Sequence, residues 1–192
     1  MKDIILIGGG GHCKAVIDVV EQAGEYKIMG IVDKPELFKS SVLGYPVIGS
    51  DNDLGDLAKL CKFALITVGQ INSPKVRKNL FEIALSVGFI MPNIISPSAY
   101  VSVHAKLNRG SVIMHGAIIN ASSSLGDNCI INSKALIEHD SVIGNFCHVS
   151  TGACINGGAV VGEGSFIGSG AITRHNAEVP PYSFIKAGSV VK

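Results

Sequence analysis

Two histidines in the second half of the chain stand where their neighbours could make them chemically active. His139 lies in the stretch ALIEHDSVIG, between Glu138 and Asp140. An imidazole beside a carboxylate is held in one tautomer with raised basicity, which suits a general base. His148 comes nine residues later. A third group sits at the start of the chain, where the apolar run Asp3–Ile7 ends in the glycine run Gly8–Gly11 and His12. A strand, a glycine loop and a helix in that order turn backbone N–H groups and a helix N-terminus toward a phosphate. Asp33, at the tip of the apolar run Ile28–Val32, could accept bonds from a ribose or a base.

Two kinds of element must hold these groups. Over residues 1–90 the pattern predicts strands at Asp3–Ile7, Ile28–Val32 and Phe63–Val68, with helices over Lys14–Ala23 and Pro74–Val87. This is a Rossmann-like βαβ unit that binds a mononucleotide. A GxGxxG frame beginning at Gly8 would need glycine where Cys13 stands, and the segment is too short for both halves of a dinucleotide domain. Nicotinamide chemistry is therefore disfavoured, while a nucleotide diphosphate on the loop is not. Residues 88–97, bracketed by Pro92 and Pro97, connect this unit to the second half of the chain.

Residues 91–192 obey a different rule. Every sixth residue from Ile95 to Val191 is Ile, Val or Leu, apart from Thr173. Four residues after each comes a small side chain, from Ala99 and Ala105 through to Ser183 and Ser189. Six is not a helical period, so a long helix is excluded. A triangular coil explains both columns, with a branched residue filling the interior from each side and a small one near each corner. Three hexads make one coil of 18 residues, and each strand pairs with the coils above and below at about 4.8 Å. The expected architecture is a left-handed parallel β-helix in which each coil covers its neighbour's apolar face. The glycines after the branched residue, such as Gly126, Gly144, Gly162 and Gly168, are expected to serve unusual turn dihedrals. Cys129 and Cys147 fall 18 apart at the small position, close enough to raise a disulfide, although two small core side chains is the simpler reading.

Composition excludes several classes. The chain is 47% hydrophobic and 16% charged, which rules out disorder, and its net charge of +1 without a basic run argues against a nucleic-acid surface. No apolar run is long enough to span a bilayer. The five Cys form neither a zinc pattern nor a secreted-domain framework, which predicts reduced thiols in a cytoplasmic protein.

Coil arithmetic constrains the histidines. Half a coil separates His139 from His148, which places them on different sides of the triangle, on the order of 15 Å apart at about 3.3 Å per residue. A site using both would lie between neighbouring prisms, and closed cyclic packing makes a homotrimer the natural solution. His175 shares a column with His139, with Gly157 between them, and reads as a surface residue. Gly157 leaves room for a ligand beside His139. His104 and His115 are expected on other faces, and the spacing of His104, His115 and His139 does not suggest a metal site, so no metal is expected.

The pairing of GGGGHCKAVID, GIVD and ITVG with INSKALIEHDSVIGNFCHVSTGA resembles the bacterial sugar-nucleotide acetyltransferases of the bacillosamine and perosamine pathways, and the related sialic-acid O-acetyltransferases. The likeness covers nearly the whole chain. It implies an acetyl-CoA-dependent enzyme of bacterial glycan biosynthesis that acetylates the amino group of a nucleotide-linked 4-amino-4,6-dideoxy sugar by direct acyl transfer. His139 would be the general base and Asp140 its carboxylate. Asn132 and His148 would lie at the thioester end, with Gly157, Ser169 and Ala187 along the pantetheine groove between prisms. Gly10, Gly11, His12, Asp33, Lys34 and Gly69 would hold the sugar nucleotide. Some members carry Glu where Asp140 stands, and the common C-terminal Gly-Val-Pro-Ala-Lys-like tail is not found before Lys192. O-acetylation of sialic acid or a related nonulosonic acid is the alternative within the fold, and a non-catalytic β-helix scaffold is the alternative outside it.

Overall fold

The computed structural model describes residues 1–192 and divides them into two compact units. Met1–Gly69 and Lys75–Pro92 form one; Gln70–Pro74 and Asn93–Lys192 form the other. No helix is long and apolar enough to cross a membrane.

The first unit contains β1 (Lys2–Ile7), α1 (Gly11–Ala23), β2 (Tyr26–Val32), β3 (Ser41–Val42), β4 (Tyr45–Gly49), α2 (Leu54–Leu60), β5 (Phe63–Ile66) and α3 (Lys75–Ser86). Their sheet runs β3-β4-β2-β1-β5, parallel except for β3 on β4. The central strand β1 buries Ile4 to Ile7 completely, as expected of a strand covered on both faces. The helix expected from Lys14 starts three residues earlier, inside the glycine run, because Gly10 serves as its N-cap. β3, β4 and α2 have weak apolar periodicity and carry little signal in the sequence.

The second unit is the β-helix. Two-residue strands recur from Ile94–Ile95 to Val190–Val191 and sort into three parallel sheets, each strand pairing with those 18 residues before and after it. On the second face, for example, Tyr100–Val101, Ile118–Ile119, Leu136–Ile137 and Cys154–Ile155 stack in register. The interior is one continuous cluster of the branched and small residues, including Ile119, Ile137, Ile155, Ala135 and Ala153. Cys129 and Cys147 lie in it as free thiols, each donating to a carbonyl of the next coil, Gly144 at 3.2 Å and Gly162 at 3.1 Å.

The corners correct one expectation. Gly126, Gly144, Gly162 and Gly168 do not adopt positive φ. They are needed because the next coil passes too close for a side chain: a Cβ on Gly144 would lie 2.6 Å from the Glu163 nitrogen. The left-handed residue is instead the third after each branched one from Leu107 to Ile185, among them Gly116, Ser122, Asn128, Lys134, Asp140, Gly152 and Asn176, with φ between 52° and 66°. Two kinds of glycine should therefore respond differently. Gly144→Ala forces backbone against backbone and should cost roughly 1–3 kcal/mol. Gly170→Ala, at φ 65° with open space around it, should cost about 1 kcal/mol from the left-handed strain alone. Urea midpoints at matched protein concentration compare them, and a reversed order would refute the close-approach argument.

Candidate active site

The turn between Leu136–Ile137 and Val142–Ile143 carries Glu138, His139 and Asp140 at one corner of the prism. Asp140 takes the left-handed position of its hexad, at φ 61°, which Asp tolerates better than most residues. That backbone turn aims its carboxylate at the preceding side chain, and Asp140 Oδ2 lies 2.7 Å from His139 Nδ1. The hydrogen bond to Asp140 is the main reason the His139 imidazole is more basic than an ordinary histidine, and the charges of Asp140 and Glu138 add to it. A proton held on Nδ1 leaves Nε2 with its lone pair outward. Glu138 turns to the previous coil instead, where it accepts a bond from Asn120 Nδ2 at 2.8 Å.

Gly157 lies one coil further on. A Cβ there would stand 2.8 Å from both Cε1 and Nε2 of His139 and 3.2 Å from Nδ1 of His175. Any side chain would fill the space that the His139 lone pair faces. The adjacent Gly158 donates its N–H to the His139 carbonyl at 3.0 Å. His104, expected on another face, stacks 36 residues before Asp140 at this same corner, because the 18-residue register continues through both coils.

His148 sits in a different setting. It projects from the first face, is 7% exposed, and packs edge-on against Phe166 with ring centres 5.1 Å apart. Its Nδ1 lies 2.5 Å from the carbonyl oxygen of Gln70, which can only accept, so this nitrogen carries the proton. Nε2 is then the acceptor for Asn132 Nδ2 at 3.3 Å. Gln70 also donates its side-chain amide to the Phe146 carbonyl at 2.8 Å. Ser169 shares a hydrogen bond of 3.0 Å with Ser150, and Ala187 is exposed one coil beyond it. Within one chain, His139, Asp140 and Gly157 occupy one corner, while Asn132, Ser169 and Ala187 belong to another.

In the first unit Gly8, Gly9, Gly10, Asp33, Lys34 and Gly69 line a cavity of about 460 Å³, together with Leu37, Asp51, Val76 and Leu80. Gly8 has φ 106° and passes too close to Val68 for any side chain. Gly10 and Gly11 have open space beside them, and no side chain caps α1; the Cys13 N–H bonds the Gly10 carbonyl at 3.0 Å, which leaves the Gly11 N–H at the helix start for a ligand. Asp33 braces the loop by accepting from the Gly9 N–H at 2.6 Å and the Lys34 N–H at 2.8 Å. Gly69 lies against His12, where a Cβ would meet the His12 Cβ at 3.5 Å. Asp51 is a lining carboxylate not singled out by sequence; burial, and secondarily the charge of Asp33, raises its pKa.

Known proteins share both halves. Residues 3–84 match the PglD N-terminal domain. A point variant of perosamine N-acetyltransferase from Caulobacter crescentus, solved with CoA and GDP-perosamine, superposes with a TM-score of 0.93 at 34% identity, covering 100% of this chain and 89% of that one. The acetyltransferase domain of PglB from Neisseria gonorrhoeae FA1090, in complex with acetyl coenzyme A, gives 0.91 at 33% identity, covering 99% and 92%. The chain belongs to the nucleotide-sugar N-acetyltransferase family. UDP-N-acetylbacillosamine N-acetyltransferase from Bacillus subtilis strain 168 is 33% identical over 118 residues, or 59% of this chain and 52% of that relative, so the match spans about half the relative's length.

In this member of the nucleotide-sugar N-acetyltransferases, the Asp140 contact can be separated from the corner it occupies. Asp140→Asn keeps a side chain suited to the left-handed turn and removes the charge. The His139 pKa should then fall toward its ordinary value. Since a base works only when unprotonated, the acidic limb of the pH–rate profile should move to lower pH, with a lower plateau above it. An unmoved limb would show that Asp140 does not tune His139.

Proposed function

We propose that this protein transfers the acetyl group of acetyl-CoA to the amino group of a nucleotide-linked 4-amino-4,6-dideoxy sugar, with His139 as the general base. The observation that carries this reading is the His139 corner: Nδ1 is tied to Asp140 while Nε2 faces a space that Gly157 keeps empty. The amine attacks the thioester carbonyl, and His139 Nε2 takes its proton as the C–N bond forms. Because the Gly158 N–H is engaged with the His139 carbonyl, the Gly157 N–H is the donor offered to the carbonyl oxygen as it becomes negative. The glycine loop, Asp33 and the open start of α1 would hold the nucleotide.

A direct transfer needs no metal, and no three His, Cys, Asp or Glu side chains come together as a metal site. Replacing His139 with Ala should lower kcat by about 10²–10⁴ without altering the circular dichroism spectrum. The assay pairs acetyl-CoA with a panel of UDP- and GDP-linked amino sugars and a sialic acid. Full activity of the variant, or exclusive acetylation of hydroxyl groups, would overturn the assignment.

The same reading calls for a homotrimer. Residues attributed to the pantetheine groove are divided between two corners of one prism, so a complete groove needs the His139 corner of one chain beside the Ser169 corner of another. The second face supports such packing, with an outward apolar column of Tyr100, Ile118, Ile172 and Val190, each more than a third exposed. Analytical ultracentrifugation should give a trimeric mass. Ile118→Glu, which leaves the interior unchanged, should give inactive monomers; an active monomer would refute the shared groove.

A further inference from the structure

His175 is a second imidazole at the reacting corner to which base catalysis by His139 gives no part. It sits one coil beyond Gly157, as His139 sits one coil before it, and the two rings lean together with centres 6.3 Å apart and planes tilted by 52°. His139 Nε2 and His175 Nδ1 both face the volume vacated by the missing Gly157 side chain, 2.8 Å and 3.2 Å from the point a Cβ would occupy. The resemblance in ring placement stops there. His139 is locked by a carboxylate, whereas His175 makes no hydrogen bond within the chain, and its sequence neighbours are Arg174 and Asn176. Asn176 folds over Gly158, with its Oδ1 filling the space of the missing side chain there.

The two rings therefore suit opposite duties. A ring paired to a carboxylate on one nitrogen presents a proton acceptor on the other. A ring with no acid beside it, next to an arginine, is free to carry hydrogen on Nδ1 and donate to an anion. Two heteroatoms on the attacked carbon change charge in thioester aminolysis: nitrogen loses a proton, and sulfur gains an electron pair. We propose that His175 Nδ1–H hydrogen-bonds the departing CoA sulfur, on the opposite side of Gly157 from the nitrogen served by His139.

The step balances without another reagent. The amine nitrogen forms its bond to the carbonyl carbon and gives a proton to His139 Nε2. The C–S bond breaks, and its electron pair stays on sulfur, which leaves as a thiolate held by His175. The thiolate then takes a proton from solvent, and His139 returns its own to solvent, so the products are the acetamide and free CoA thiol.

The proposal rests on acetyl transfer at the His139 corner, and leaving-group dependence tests it. kcat/KM is measured for wild type, His175→Ala and His175→Asn with acetyl-CoA and with S-phenyl thioacetate, whose acidic thiol leaves unaided. His175 is exposed, so its removal leaves the coil interior intact. His175→Ala should lose about 10- to 100-fold with acetyl-CoA, the value of one hydrogen bond to a charged group. It should lose less than about 3-fold with the aryl thioester. His175→Asn, which restores an N–H donor, should recover part of the acetyl-CoA rate. Equal losses with both donors, or none with acetyl-CoA, overturn the role of His175 while leaving His139 chemistry standing. Failure of the wild-type protein to turn over acetyl-CoA with any acceptor overturns both.

Discussion

Vertical pairing between strands 18 residues apart is the constraint on which the second unit depends. Each strand donates and accepts along the prism axis, as in the 2.9 Å bond from the Val142 N–H to the Ala159 carbonyl. A slip of one residue would turn every interior Ile, Val and Leu outward, so the register is fixed by the same apolar surface that drives folding. Corners inherit that precision. From Gly110 to Gly188 a left-handed residue every six positions turns the chain, and where the next coil passes close behind, only glycine fits. The candidate site at Glu138–Asp140 is thus held by a repeated backbone rather than by a loop with conformational freedom.

The two histidines that the sequence singled out show how one side chain is set to different tasks by its surroundings. Each has Nδ1 occupied and Nε2 left as an acceptor, yet the partner is a carboxylate for His139 and a carbonyl for His148. A carboxylate stabilises the imidazolium that forms when a base takes a proton. A carbonyl fixes orientation while adding no full charge, and the His148 ring is buried against Phe166. In the proposed reaction His139 would cycle a proton, while the carbonyl contact holds the His148 ring in place. Gln70 supplies the difference, because its carbonyl accepts the hydrogen bond from His148 Nδ1 while its side-chain amide secures it to the Phe146 carbonyl.

Much of this was legible in the sequence because a strict period converts residue number into position. The prism, its interior columns and the closeness of His139, Gly157 and His175 all come from counting in sixes and eighteens. Gln70 was not legible, since it meets His148 across 78 residues and no local pattern marks it. Asp51 was missed for a similar reason: it reaches the glycine-loop cavity through β3, β4 and α2, whose short strands and single short helix leave little periodic signal. Spacing alone left open which flanking acid serves His139, because Glu138 and Asp140 are equally near in sequence, and only the family resemblance pointed to Asp140. The corner dihedral decides it, turning Asp140 toward the ring and leaving Glu138 to Asn120. The role of the glycines after the branched residues was misread because crowding between coils is invisible to a reading of one hexad at a time.

The left-handed seat of Asp140 makes the prism an addressable lattice. The same backbone conformation recurs at Ser122 one coil earlier and at Gly158 and Asn176 in the two later coils, each preceded by a residue that stacks with His139. A His-Asp pair moved by one coil would keep its internal geometry and change only its height along the axis. The distance between the His139 corner and anything fixed elsewhere on the prism is consequently quantised in steps of one strand spacing, about 4.8 Å. Substrates of different length can be matched by relocating a dipeptide and the glycine above it, with no redesign of the fold.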